Sequence, residues 1–393
     1  MAFGLVSLAL TAAVVVLAAT LRGRFYAIVA SVILAVHSLV ATAMAPYFEV
    51  VWPVYFYLHG TVYIHFAALV VPALRPLAYR VLLSIPGSAF SAATMLALPW
   101  AIVAPFGIGG STFFVPYVVA LLGFLFTTLW RRKERRMLVL DGAPVELLGR
   151  TSSPKERPGF RPLRIVQITD PHLGTFMSEG TLRRIAEDAV RAEPDLVFLT
   201  GDFLTMESHR AEDVLTRALS PLRALPGRVF ACMGNHDHEA PKTVFGAMKA
   251  IGAEMLIDDA RTIETSIGPL EIVGLDFHFS DRRRRIKDAL AKFPRVEGVP
   301  RIIMLHDPGA FVHVPDGAGD LVLSGHTHGG QLGLLSLGHP GTFVSLFTKI
   351  PDHGLWGLGR NRLYVHRGTG HYGFPIRVGV PSEESVLEVF FRA

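Results

Sequence analysis

Apolar positions run almost unbroken through the first third of the chain, then give way to short bursts separated by polar turns. Five apolar stretches come first, at 3–21, 25–45, 50–74, 81–106 and 112–130. Each reaches the ~17–25 residues that a bilayer-crossing helix needs. None carries Lys, Arg, Asp or Glu well inside its span. The first lacks a basic segment ahead of it and is followed by further apolar stretches, so it reads as an anchor and not a secretory signal. The pattern predicts an all-α transmembrane bundle of about five helices over 1–137. From 138 to 161 the chain is rich in Pro, Ser, Gly and charge and reads as a linker, partly extended near the membrane surface.

Over 162–393 strand-like and helix-like periods alternate. Runs at 163–169, 195–200, 228–233, 270–275, 301–305, 320–323, 363–365 and 385–391 have strand character, and 179–192 and 211–225 have helical spacing. Such alternation predicts an α/β domain with largely parallel core strands. Cys232, the one cysteine, falls in the third strand as a small core residue and excludes an intrachain disulfide.

Charge divides along the same boundary. Through Phe160 there are 12 Lys/Arg against 5 Asp/Glu; the remainder has 26 against 28. The basic balance therefore belongs to the membrane-proximal part and gives no reason to expect nucleic acid as a partner. Arg22 and Arg24 follow the first stretch, Arg75 and Arg80 separate the third from the fourth, and Arg131, Arg132, Lys133, Arg135 and Arg136 follow the fifth. The connections at 45–49 and 107–111 hold no basic residue. By the positive-inside rule the N-terminus lies outside and everything after residue 131 in the cytoplasm, as in a multi-pass protein of the inner (cytoplasmic) membrane. His59 and His65 read as neutral imidazoles near an interface or bonded to a neighbouring helix, because no acid or base accompanies them in their span.

The chemistry sits just past the ends of the predicted strands, where α/β sheets place ligands. The blocks are Asp170-Pro171-His172, Gly201-Asp202, Gly234-Asn235-His236-Asp237, His306 in an LHDP run, and Gly325-His326-Thr327-His328. Any one alone is weak. All five in this order, each at a strand end, form a specific signal.

This order resembles the calcineurin-like metallophosphoesterases, over about 161–393. The resemblance implies a four-layer β-sandwich flanked by helices that carries two divalent metal ions. It assigns Asp170, His172 and His328 to one metal and Asn235, His306 and His326 to its neighbour, with Asp202 bridging. A mixed His/carboxylate set suits Mn, Fe or Zn better than Ca, with Mn favoured. Two cations ~3.5–4 Å apart offset the charge of a phosphoester and generate hydroxide at neutral pH. His236 is then not a ligand but a general acid or charge stabiliser, with Asp237 orienting its ring. Arg367 becomes a phosphate-contact candidate beside a Gly-rich return.

The run Gly325 to Gln331 (GHTHGGQ), with Arg367-Gly368-Thr369-Gly370 and Pro375-Ile376-Arg377, resembles a bacterial, membrane-associated branch. Some members of that branch cleave the pyrophosphate of UDP-2,3-diacylglucosamine. Asp202 is followed by Phe203 and not by arginine, which disfavours a protein phosphatase. The expected substrate is a lipid-linked phosphodiester or pyrophosphate at the phospholipid membrane. A broad phosphodiesterase on soluble nucleotides and a non-catalytic membrane scaffold are the alternatives. The apolar loop at 341–360 reads equally as a membrane-dipping lid and as a segment packed on its own domain. The Arg282–Arg285 run reads as solvated surface charge.

Overall fold

The structure is a computed structural model that describes residues 2–129, 131–371, 373 and 375–391. Trp130, the expected end of the fifth apolar stretch, and residues 392–393, the expected end of the second part, lie outside the described residues.

The apolar stretches fold as helices α1 (Ala2–Leu21), α2 (Arg24–Met44), α3 (Trp52–Ala68), a bent α4 (Leu77–Leu96 continuing as Leu98–Phe106) and α5 (Val115–Leu129). By length and composition two helical runs can cross a membrane, Ala2–Leu21 and Arg24–Ala68; the pair in α4, inclined at 51°, makes a third if it is one span. The second run folds back on itself. The Tyr55 hydroxyl donates to the Ala41 carbonyl at 2.7 Å, His37 Nε2 meets His59 Nδ1 at 3.0 Å, and Tyr26 donates to the Phe66 carbonyl at 2.8 Å. Residue numbers rise along one helix as they fall along the other, so α2 and α3 are antiparallel about the turn at Ala45–Val51. Many large apolar side chains face outward, among them Leu5, Phe25 (82% exposed), Ile28 and Leu39. An apolar belt of this kind is costly in water and at home in lipid.

The second part is built on two mixed sheets. Strands β1 (Arg131–Leu140), β3 (Leu163–Ile168), β4 (Leu196–Leu199), β5 (Val229–Ala231), β6 (Glu254–Met255) and β13 (Ser382–Phe391) form one sheet, in the order β1-β13-β3-β4-β5-β6. The other runs β2-β11-β12-β10-β9-β8-β7, from β2 (Val145–Arg150), β7 (Asp259–Thr265), β8 (Gly268–Gly274), β9 (Arg301–Met304), β10 (Leu321–Ser324), β11 (Gly354–Gly359) and β12 (Asn361–Val365). The central pairs β3–β4–β5 and β8–β9–β10–β12 are parallel.

Alternate residues decide the layering. Ile165, Phe198, Phe230 and Leu387 of the first sheet meet Ile272, Ile302, Met304 and Leu323 of the second. The opposite face of the first sheet, at Val166, Val197 and Val229, is covered by helices α6 (Glu179–Arg191), α7 (Glu212–Leu219) and α8 (Pro241–Ile251). Helix α9 (Arg282–Ala291) covers Val273, Ile303 and Val322 of the second. Side-chain period two on the strands thus yields helix, sheet, sheet, helix. Cys232 is buried in the inter-sheet core.

The segment 131–161 departs from the expectation of a bundle to 137 followed by a linker over 138–161. Arg131–Leu140 pairs in parallel with β13 and Val145–Arg150 pairs with β11, so both sheets take an edge strand from this segment. Glu134 is buried on the same face of the strand as the half-exposed Arg132 and Arg136, whose guanidiniums flank its carboxylate.

Candidate metal centre

The parallel strands of both sheets end at one rim. Asp170 follows β3, Asp202 follows β4 and Asn235 follows β5; His306 follows β9 and His326 follows β10. The first three come from one sheet and the last two from the other, so the sandwich itself brings the blocks together. Donor atoms of Asp170, His172 and His328 lie within 4.8 Å of one another, as do those of Asp202, His306 and His326. Asp202 stands between the groups, its Oδ2 3.3 Å from His306 Nε2 and 3.6 Å from His172 Nε2.

The backbone is bent to achieve this. Asp170, His172, Asp202, His326 and His328 all have φ between 47° and 67°, a region that side-chain-bearing residues rarely adopt. Strain of roughly 1–3 kcal/mol at each such residue persists only where surrounding contacts enforce it. Here they do. Both oxygens of Asp170 accept the His326 N–H at 3.0 Å, and Asp202 Oδ1 accepts the His236 N–H at 2.9 Å. A Cβ at Gly325 would collide with the Asp170 carboxylate and Thr169, and one at Gly201 with the Gly234 backbone.

The rings are oriented for ligation. Backbone carbonyls take a hydrogen bond from Nδ1 of two histidines: Thr200 from His306 at 2.7 Å and Leu204 from His172 at 3.2 Å. With Nδ1 carrying the proton, Nε2 presents its lone pair to the centre.

The donor set fits cations. Asn235 Oδ1 is buried with no hydrogen-bond partner among the described residues, and His306 Nε2 faces the Asp202 carboxylate at 3.3 Å. Burial favours the neutral carboxyl and raises Asp170 to about 6. Burial opposes the same charge on Asp202, but His306 and His172 outweigh it and hold that carboxyl well below the usual range. Burial likewise disfavours a charged His306, yet Asp202 and Asp170 raise it to about 10. Two buried carboxylates demand positive charge at this spot, and a proton on His306 is what the protein alone can supply.

Other expected residues take different places. Half-buried His236 lies at the rim, its ring 5.6 Å from that of His172, and Nδ1 is 3.1 Å from Glu239 Oε1. Burial works against its charged form, but Glu239, Asp202 and Asp237 together raise its pKa. The Asp237 carboxylate accepts the backbone N–H groups of Asp202, Phe203 and Gly234 at 2.7–2.9 Å, bracing two ligand loops; Glu239 is the acid on the His236 ring. Arg367 is buried, its guanidinium against Glu134, Glu383 and the Pro381 carbonyl. It ties β1 to β13, its guanidinium taken up by two carboxylates. Arg377, which carried no role of its own in the sequence, donates to the His328 carbonyl at 2.9 Å and to those of Arg367 and Gly370. Glu239 was legible only as the acid three residues beyond His236.

The 341–360 loop divides. Leu355, Trp356 and Leu358 pack against the sheets as part of β11. Helix α10 (Phe343–Phe347) leaves Leu346 (76%) and Phe347 (73%) exposed.

A two-sheet sandwich with paired Asp/His groups at its rim defines a metal-dependent hydrolase. Residues 163–330 match the family described as Calcineurin-like phosphoesterase, and the chain carries a calcineurin-like metallophosphoesterase domain. It is 29% identical over 233 residues to phosphodiesterase YaeI of Escherichia coli K12, covering 58% of this chain and 82% of that one. It is 25% identical over 294 residues to the UDP-2,3-diacylglucosamine pyrophosphatase LpxG of Chlamydia trachomatis, covering 61% and 87%. A Danio rerio transmembrane protein with metallophosphoesterase domain is 29% identical over 237 residues, covering 56% and 52%.

Proposed function

We propose that the protein is a five-span membrane enzyme that hydrolyses a phosphodiester or pyrophosphate bond of a lipid-linked substrate at the cytoplasmic face. The observation that carries the lipid reading is the packing of the apolar helices directly on the metal-bearing loops. Arg80 of α4 donates to the Thr175 carbonyl, and Arg22, between α1 and α2, lies 3.9 Å from Glu239, the partner of His236. Ala92, Ala93 and Ala120 pack against Ile376, one residue from Arg377. An active rim seated on membrane helices suits a substrate that resides in the membrane.

Asp170, His172 and His328 would hold one divalent cation and Asn235, His306 and His326 the other, with Asp202 available to both; Mn suits this donor set. When bound, the pair supplies Lewis-acid charge neutralisation and a nucleophile at neutral pH. His236, its Nδ1 held by Glu239, delivers a proton from Nε2 to the leaving oxygen. Asp237 keeps the Asp202 and Asn235 loops in register through its three backbone hydrogen bonds.

The helical hairpin of α2 and α3, with α1, α4 and α5, supports five spans. The charge pattern then sets the N-terminus outside. The test is turnover by Mn-loaded full-length protein in detergent on UDP-2,3-diacylglucosamine, a cyclic dinucleotide and a chromogenic diester. Preference for the lipid is expected. Equal turnover of all three favours the soluble-nucleotide reading, and full activity in Asn235→Ala and His236→Ala contradicts the site.

A further inference from the structure

We propose that a cavity between the membrane helices and the metal-bearing loops holds an acyl chain of the substrate, placing the attached phosphate at the metal centre. This rests on the lipid-linked reading above and adds where the lipid is gripped and through what chemistry.

The cavity measures about 200 Å³ and has two walls. Tyr26 and Ile33 of α2 with Phe66 and Leu69 at the end of α3 make one; Phe176 and Met206 of the catalytic loops make much of the other. His172, in the Asp170/His328 group, belongs to the same lining, so the apolar space reaches the centre itself. Hydrocarbon transferred from water to such an apolar site gains with every methylene. The acid in the wall does not spoil it. Glu207 accepts from the Thr175 hydroxyl at 2.6–2.7 Å, and burial raises its pKa.

His65 and Ser91 belong to the same lining, but His65 Nδ1 and Ser91 Oγ are themselves closed off, so the cavity offers a ligand mainly apolar surface.

The test uses full-length Mn-loaded protein in detergent and acyloxyethyl p-nitrophenyl phosphodiesters graded in acyl length, with methyl p-nitrophenyl phosphate as the chain-free reference. For the wild type, kcat/KM should rise by about fourfold per methylene until the cavity is filled. Ile33→Trp and Leu69→Trp fill the space. Each should lower kcat/KM on the long-chain ester by about tenfold or more while staying within about twofold on the methyl diester. No length dependence in the wild type overturns the lipid-linked reading itself. Length dependence that survives both tryptophan variants overturns the cavity and leaves the lipid reading standing. If those variants lose the methyl diester as well, an acyl phosphate with a diazirine tail decides on the wild type. Labelling of α2 or α3 supports the proposal, and labelling confined to other segments overturns it.

Discussion

The helical region and the catalytic region both bury histidines, and they use them in opposite ways. In the bundle a hydrogen-bonded chain runs from Ser7 Oγ to His59, from His59 to His37 and from His37 to Thr94, at 2.8–3.0 Å, on regular helices. At the rim, His172, His306, His326 and His328 surround two buried carboxylates, several on strained backbone and with donor atoms turned inward. A buried histidine whose neighbours satisfy it is architecture. One held against carboxylates, its second nitrogen fixed by a backbone carbonyl, is a ligand in waiting.

Substitutions should separate the two kinds. His306→Ala is expected to lower kcat/KM by about 10²–10³, the range for losing one preorganised charge-stabilising group. His37→Phe leaves His59 without one partner and should cost about 1–3 kcal/mol of stability with the same kcat/KM. Equal activity losses in the two variants would erase the distinction drawn here.

Arg367→Ala should destabilise by about 3–5 kcal/mol, because it strands Glu134 and Glu383 in the core. Its KM should not change, the opposite of what a phosphate contact predicts; thermal denaturation beside steady-state kinetics reads both. The same network sets an acid limb. Burial disfavours the charged Glu383, but His366, Arg367 and Tyr364 outweigh it and bring its pKa down to about 2. Its contribution is therefore complete above the ordinary glutamate range and fades as pH falls toward about 2. Glu383→Gln should flatten that part of a stability–pH curve.

Glu239→Gln removes the acid on His236 and should lower kcat by about 10–100-fold with metal content unchanged. The smallest intervention sharpens the membrane side. Because Cys232 is buried, Gly110→Cys and Glu156→Cys give sole accessible thiols. An impermeant maleimide on intact cells should label the first and reach the second only after permeabilisation; the reverse pattern inverts the proposed topology.

Much of this site was legible in the chain because its signals are local. Each ligand block is a short motif at a strand end, and the strands announce themselves by apolar runs. What escaped depends on distant partners. Arg131–Leu140 reads as a basic run after a membrane helix; that it is a strand depends on β13, about 250 residues on. Arg367 looked free for phosphate because Glu134 lies 233 residues away in sequence. Asp237 was expected on the neighbouring His236 ring, but two of its three backbone hydrogen bonds go to the Asp202 loop, which only the assembled sheet brings near.

The central claim is that two Asp/His groups with Asn235 form a two-cation centre. Metal analysis of the purified full-length protein after Mn loading and desalting tests it most directly. The account predicts two Mn per chain in the wild type and fewer in Asp202→Asn, the shared ligand. One or no Mn in the wild type, or two retained in Asp202→Asn, would contradict it.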